Sequence, residues 1–191
     1  MSMFKNGGRR GAAAALLLAL LAGCGSIAPD KGFGLGLSLP VARLNIGEEP
    51  RPEQIRAWDI DVRADGAGLP PGAGSVVQGQ ALYQEQCLSC HGAKGVGATA
   101  PKLVGGQGTL AGNAPVQTIG SYWPYATTLY DYINRAMPLN KPQSLKPDEV
   151  YALSAYLLNL NGIVKADTVL DARSLPKVKM PNRNGFRPEW N

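Results

Sequence analysis

The chain has 191 residues, 45% of them hydrophobic, with 19 Lys and Arg against 14 Asp and Glu and a single His. That is enough chain for one core, and its basic surplus sits mostly at the start. Setting aside residues 1–23 removes Lys5, Arg9 and Arg10 and no acid, which leaves 16 basic against 14 acidic residues. With no Lys/Arg cluster interleaved with aromatics, nucleic acid is excluded as a partner.

In chain order, the first feature is a basic start followed by the apolar run Ala12 to Ala22. That order is an export signal, and the run is short for a bilayer span. It ends in Leu21-Ala22-Gly23-Cys24, the pattern of a lipoprotein signal peptide over 1–23 with Cys24 as the acylated first residue of the mature chain. Several acyl chains would make the anchoring stable, at ~0.8 kcal/mol per buried methylene. The expected location is the periplasmic side of a bacterial membrane.

Residues 24–50 read as an acylated tether and extended lead-in, rich in Gly and Leu. Within 51–74, an extension expected to pack on the domain, Pro52 to Trp58 suits a short helix with proline at its first position. Trp58 to Val62 alternates apolar with acidic residues like an extended segment, and Asp65 to Gly74, with Pro70-Pro71, is a connector. From Ser75, an available N-cap, the apolar positions Val76, Leu82, Tyr83, Cys87 and Cys90 fall on helical spacing, so one helix should lead straight into the cysteines. The glycine-rich stretch from Gly92 to Gly120 suits backbone wrapped around a flat ligand. A helix over Tyr125 to Ala136 places Leu129, Tyr132 and Ile133 on one face and ends before Met137-Pro138. The last clear helix runs from Pro147 to Leu160, with Asp148 and Glu149 at the positive end of its dipole and Asn161-Gly162 as its stop. Residues 163–191, with three prolines, form an extended tail that packs back on the domain.

Cys87-Leu88-Ser89-Cys90-His91 carries the chemistry. Two thiols one helical turn apart match the two vinyl groups of a haem, and the imidazole that follows binds the iron. Structural zinc would need about four ligands, and no other Cys or His remains in the mature domain beyond the acylated Cys24. A thioredoxin-like pair would need a strand-helix-strand setting that the glycines after His91 do not provide. One covalent haem c is therefore expected, and with one histidine its second axial ligand falls to methionine. Met137 and Met180 alone survive removal of the signal, each before a proline. Met137, between two helices, is the first choice and Met180 the fallback. Two protein ligands leave iron no vacant position, which favours electron transfer over oxygen or peroxide chemistry.

Trp123 and Arg135, with Tyr122 and Tyr125, can donate to haem propionates, although core packing accounts for the aromatics equally well. Lys94, Lys102 and Lys141 can steer an acidic partner, while solvated lysines are the commoner case.

From Ser75 to Gly162 these residues resemble class I cytochrome c, an all-α fold of three to five helices around one covalent haem, here with extended N- and C-terminal segments. Gly79, Tyr83, Leu153 and Tyr156 resemble that family's crossing of first and last helices. The resemblance implies that Pro101 offers its carbonyl to the second nitrogen of His91 and that Leu103 packs on the haem face. A narrower likeness covers Ala57 to Val62, Leu69 to Gly72, Thr118 to Thr128 and Lys179 to Asn182. These stretches are similar to the cytochrome subunit of sulfane and sulfite dehydrogenases, which implies a molybdopterin dehydrogenase subunit as electron donor and a respiratory acceptor downstream. The chain has no molybdenum domain of its own, so it is expected to be an electron-transfer subunit and not an enzyme by itself. One haem motif and the lipobox set it apart from some members.

Overall fold

Every long element begins where the sequence supplies a start signal, and the computed structural model describes residues 46–187. Cys24, the signal peptide and nearly all of the tether fall in residues 1–45, which lie outside the described residues, as do the last four. The chain from Pro50 onward is one unit. Helix α1, Pro52–Trp58, has proline at its first turn and buries none of its residues. Strand β1, Ala73–Ser75, runs into helix α2, Val76–Gln86, where the Ser75 hydroxyl accepts from Gln78 N at 3.2 Å and Gln78 Oε1 accepts from Ser75 N.

The helix expected to continue through the cysteines instead breaks at Cys87. Its φ of −124° and ψ of −30° end α2, and a single new turn, α3, spans Leu88–His91. The break lets the Cys87 carbonyl accept from both Cys90 N, 3.2 Å, and His91 N, 3.0 Å, so the motif forms its own turn. Helix α4 covers Ala126–Ala136 and helix α5 covers Pro147–Leu160. The buried face of α4 is Ala126, Leu129, Tyr130 and Ile133. Tyr132, expected beside Leu129 and Ile133, is exposed and meets the Trp123 ring edge-on at 5.5 Å. The i, i+3, i+4 pattern holds, but it runs from Ala126 rather than through Tyr132.

α5 is buried on every side from Val150 to Leu158, the mark of a central helix and not of an amphipathic surface one. Its neighbours reach it at backbone distance. A Cβ at Gly79 would stand 1.9 Å from the Ala152 carbonyl oxygen, and one at Gly74 would stand 2.2 Å from Ala152 N, so only glycine lets α2 and β1 pass so close. Beside the crossing, the Tyr83 and Tyr156 rings lie 5.4 Å apart.

The tail is more structured than an extended segment. Strand β2, Val169–Asp171, pairs antiparallel with β1 in the register Ala73 to Asp171, Gly74 to Leu170 and Ser75 to Val169, and a 3₁₀ turn follows at Leu175–Lys177. Leu170, Leu175 and Met180 bury their side chains in the helical core. Residues before α2 are held by hydrogen bonds: Tyr151 Oη donates to the Pro70 carbonyl at 2.9 Å, and Ala73 N donates to Asp148 Oδ1 at 2.8 Å. Val62 N donates to Asp131 Oδ1 at 3.0 Å.

Candidate haem site

The turn that carries the cysteine motif presents two free thiols, Cys87 half-buried and Cys90 exposed. Burial first, and the neighbouring Cys90 second, push the Cys87 thiol up to about 11, so it is neutral at physiological pH. Reactive redox pairs and metal thiolates need the opposite, a lowered thiol. Two free thiols on one turn fit the thioether attachment of a haem.

His91 follows on the same turn. Its Nδ1 lies 2.9 Å from the Pro101 carbonyl oxygen, which can only accept, so Nδ1 carries the proton and Nε2 keeps its lone pair for a metal. The contact that resemblance implied is present, and it sets the tautomer a ligand needs.

The loop that brings Pro101 there is closed by main-chain bonds: Ala100 N to Cys90 O and Gly97 N to His91 O, both 2.8 Å, and Leu103 N to Gly95 O, 2.8 Å. Gly92 and Gly97 sit at φ of +73° and +95°, and a Cβ at Gly92 would stand 2.6 Å from Gly97 O. Glycine is thus required for the loop to fold on itself.

Two side chains from the helices grip this loop. Tyr83, 1% exposed, donates its hydroxyl to the Gly92 carbonyl at 2.8 Å. Asn161, at the end of α5, donates Nδ2 to Leu103 O and Leu157 O, while its Oδ1 accepts from Gly105 N. Gln107 Nε2 returns a bond to Asn161 O at 2.9 Å. Further along, Thr118 Oγ1 donates to Gly105 O and Ser121 Oγ donates to Val116 O, so the glycines are pinned by hydroxyls. Sequence reasoning took Asn161 only as a helix stop and gave Thr118 and Ser121 no polar role. A polar side chain buried beside a glycine is a signal, but the carbonyl it will meet is not written nearby.

Leu82, Cys87, Leu103, Trp123 and Met137 all pack against the core and all stay half-buried. They give the core a half-buried apolar rim, which suits a flat apolar group. Met137 follows α4 with extended backbone, φ −118° and ψ 147°, as a residue before proline should. Met180, the fallback ligand, is 3% exposed and sits inside the apolar cluster. Arg135 is already engaged: its Nε donates to both Asp131 oxygens at 2.9 and 3.0 Å, and its Nη2 pairs with Asp61. A propionate would have to share this guanidinium with two carboxylates, which weakens the role expected of Arg135. Lys94, Lys102 and Lys141 are all exposed.

Comparison with known proteins agrees with this arrangement. A family model described as cytochrome c matches residues 76–161. The crystal structure of the sulfane dehydrogenase SoxCD from Paracoccus pantotrophus contains a chain that matches with 47% identity and a TM-score of 0.73, covering 78% of this chain and 73% of that one. No curated protein matches. The chain belongs to the cytochrome c family: it is a class I c-type cytochrome with one covalent haem c, similar to the cytochrome subunit of sulfane dehydrogenase.

Proposed function

We propose that this electron-transfer cytochrome takes single electrons from a molybdopterin dehydrogenase that oxidises sulfite or sulfane sulfur and passes them to the respiratory chain. The observation that carries this reading is the 47% identity to a chain of the SoxCD sulfane dehydrogenase. We also place it on the periplasmic side of the membrane, anchored through Cys24, because the export signal and lipobox stand at the start of the sequence.

When bound, haem supplies a one-electron iron couple. The residues that would hold it are Cys87 and Cys90 by thioether bonds, with His91 through Nε2 and Met137 as the iron ligands. Their own work is positional. Pro101 holds the imidazole ring by its Nδ1 proton, and Tyr83 and Asn161 hold the loop that places Pro101. Leu103 and Trp123 extend the apolar rim. In this reading the oxidising chemistry belongs to the partner.

The test is to mix the holo-cytochrome with the candidate dehydrogenase and sulfite or a sulfane-bearing substrate, and to follow haem reduction. Reduction should be far faster with the dehydrogenase than without it. Equal rates, or equal reduction by unrelated dehydrogenases, would replace this reading with that of a general carrier. The anchor is checked separately: C24S should move the protein from the membrane fraction to the soluble one, and an unchanged distribution would remove Cys24 from its role.

A further inference from the structure

Beyond β2 the tail makes a second feature that the haem site does not use. Leu175 and Met180 are buried and Val178 is half-buried, while Lys177 and Lys179 are both exposed. The chain then curls: Arg183 N donates to Met180 O and Gly185 N to Asn182 O, both 3.1 Å. Asn182 Nδ2 donates to the Tyr122 carbonyl at 2.7 Å, and the Phe186 ring meets Tyr122 edge-on at 5.1 Å. The Arg183 guanidinium lies 4.2 Å above the centre of the Tyr125 ring. These contacts fix residues 176–185 as the wall of a cavity of 580 Å³.

The charge of this wall is one-sided. Between Ala172 and Arg187 the chain carries Arg173, Lys177, Lys179, Arg183 and Arg187 and no carboxylate, the next being Glu189. Among the described residues the ion pairs are made by Arg51 and Arg135, and none involves these five cations. A solvated basic strand would do without a cup, without a guanidinium held over a ring, and without a turn closed against Tyr122.

We propose that this cup is the docking site for an acidic, extended segment of a protein redox partner. The proposal rests on the electron-transfer role alone and does not depend on which substrate the donor oxidises. Charge complementarity names the occupant: carboxylates meet two lysine point charges and a guanidinium that has already surrendered much of its rotamer freedom. A concave wall suits a protruding segment. Two residues of its lining, Asn182 and Arg183, also contact Tyr122 and Tyr125, which flank Trp123, so a segment bound there is tied to the stretch that leads into α4.

The test uses the holo-protein, an acetylated decapeptide of alternating Glu and Gly, and phosphatidylglycerol vesicles, at low salt. The peptide should shift the resonances of residues 176–185 and weaken steeply with added salt. K177E/K179E, two exposed positions, should cut affinity by about tenfold or more, and R56E/K165E, also exposed, should leave it within about twofold. Equal losses in both variants would overturn the proposal, since any basic surface would then serve. Peptide shifts outside the tail would also overturn it. Vesicle binding that depends on Lys177 and Lys179, with no peptide binding, would assign the cup to the membrane and overturn it too.

Discussion

The two sides of this core are built by different forces. On the closed side, α5 is buried from Val150 to Leu158, and Gly74 and Gly79 bring β1 and α2 onto the backbone of Ala152. On the rim side, Leu82, Cys87, Leu103, Trp123 and Met137 stay half-buried, and the loop beneath them is held by Tyr83, Asn161 and Thr118 reaching single backbone groups. Close packing carries the stability of the first side, where an added methyl group is felt at once. Hydrogen bonds carry the geometry of the second, each contributing only ~1 kcal/mol net. The difference implies that changes on the closed side should cost folding, and that changes on the rim should alter the haem environment at smaller cost.

The largest effect should come from Gly79→Val. The new Cβ would stand 1.9 Å from the Ala152 oxygen and 2.7 Å from the Tyr156 Cβ, and neither backbone can give way without parting the helices. The loss should reach or exceed the top of the ~1–3 kcal/mol that overpacking costs, read from guanidinium unfolding of the holo-protein. A midpoint within error of the parent would break the account of the crossing.

The two methionines sharpen the contrast, because each precedes a proline yet Met180 is buried within the core cluster and Met137 only half-buried against it. Met180→Ala empties a place in the apolar cluster and should cost about 2–5 kcal/mol while leaving the haem spectrum unchanged. Met137→Ala should cost little stability but open a coordination position, so that the reduced protein takes up carbon monoxide at neutral pH. If Met180→Ala is the variant that gains carbon monoxide binding, the ligand assignment reverses.

The same division explains what could be read from the sequence. The helix over Pro147 to Leu160 and the Ser75 cap follow from local signals, because each is decided by propensity or capping, whereas the close crossing at Gly79 was implied by family likeness. The contact of His91 with Pro101 came from family likeness, since nothing at either residue specifies the other. The break at Cys87, the β1–β2 pairing and the engagement of Arg135 by Asp61 and Asp131 were not legible. Asp61 lies far from Arg135 in the chain and β1 far from β2, and a three-residue strand has too few positions to show a period. The Asn161 latch was hidden by a correct reading, as Asn-Gly does end the helix while the side chain does something else.

Asn161→Ala should then test the rim's largest latch. It leaves the Leu103 carbonyl and Gly105 N without their partner, while Leu157 O keeps the backbone N–H of residue 161, and a buried group left unpaired costs about 1–3 kcal/mol. Amide exchange should quicken in residues 103–107 more than in α5. Uniform quickening across the chain would show that the loop and the helices open together, and the two sides would not be separate.

Tyr83→Phe should have the smallest cost, because it keeps the ring on the closed side and removes only the hydroxyl that reaches the rim. About 1 kcal/mol should be lost at neutral pH, with a measurable shift in reduction potential as the His91 turn loosens, whereas a purely packing role would leave the potential still. The alkaline limb offers a second reading. Burial first, and Cys87 second, raise the Tyr83 phenol to about 12, against ~10 in the unfolded chain. The folded state therefore holds this proton more tightly, and its advantage, whole below pH ~10, is lost as pH rises towards 12. Tyr151, raised to about 12 by burial, adds to the same limb. With Phe at 83 one of these protons is gone, so stability should fall less steeply between pH 10 and 12 than in the parent. An identical slope would mean that the hydroxyl is not buried against Gly92, and the link from the helical crossing to the His91 turn would fail with it.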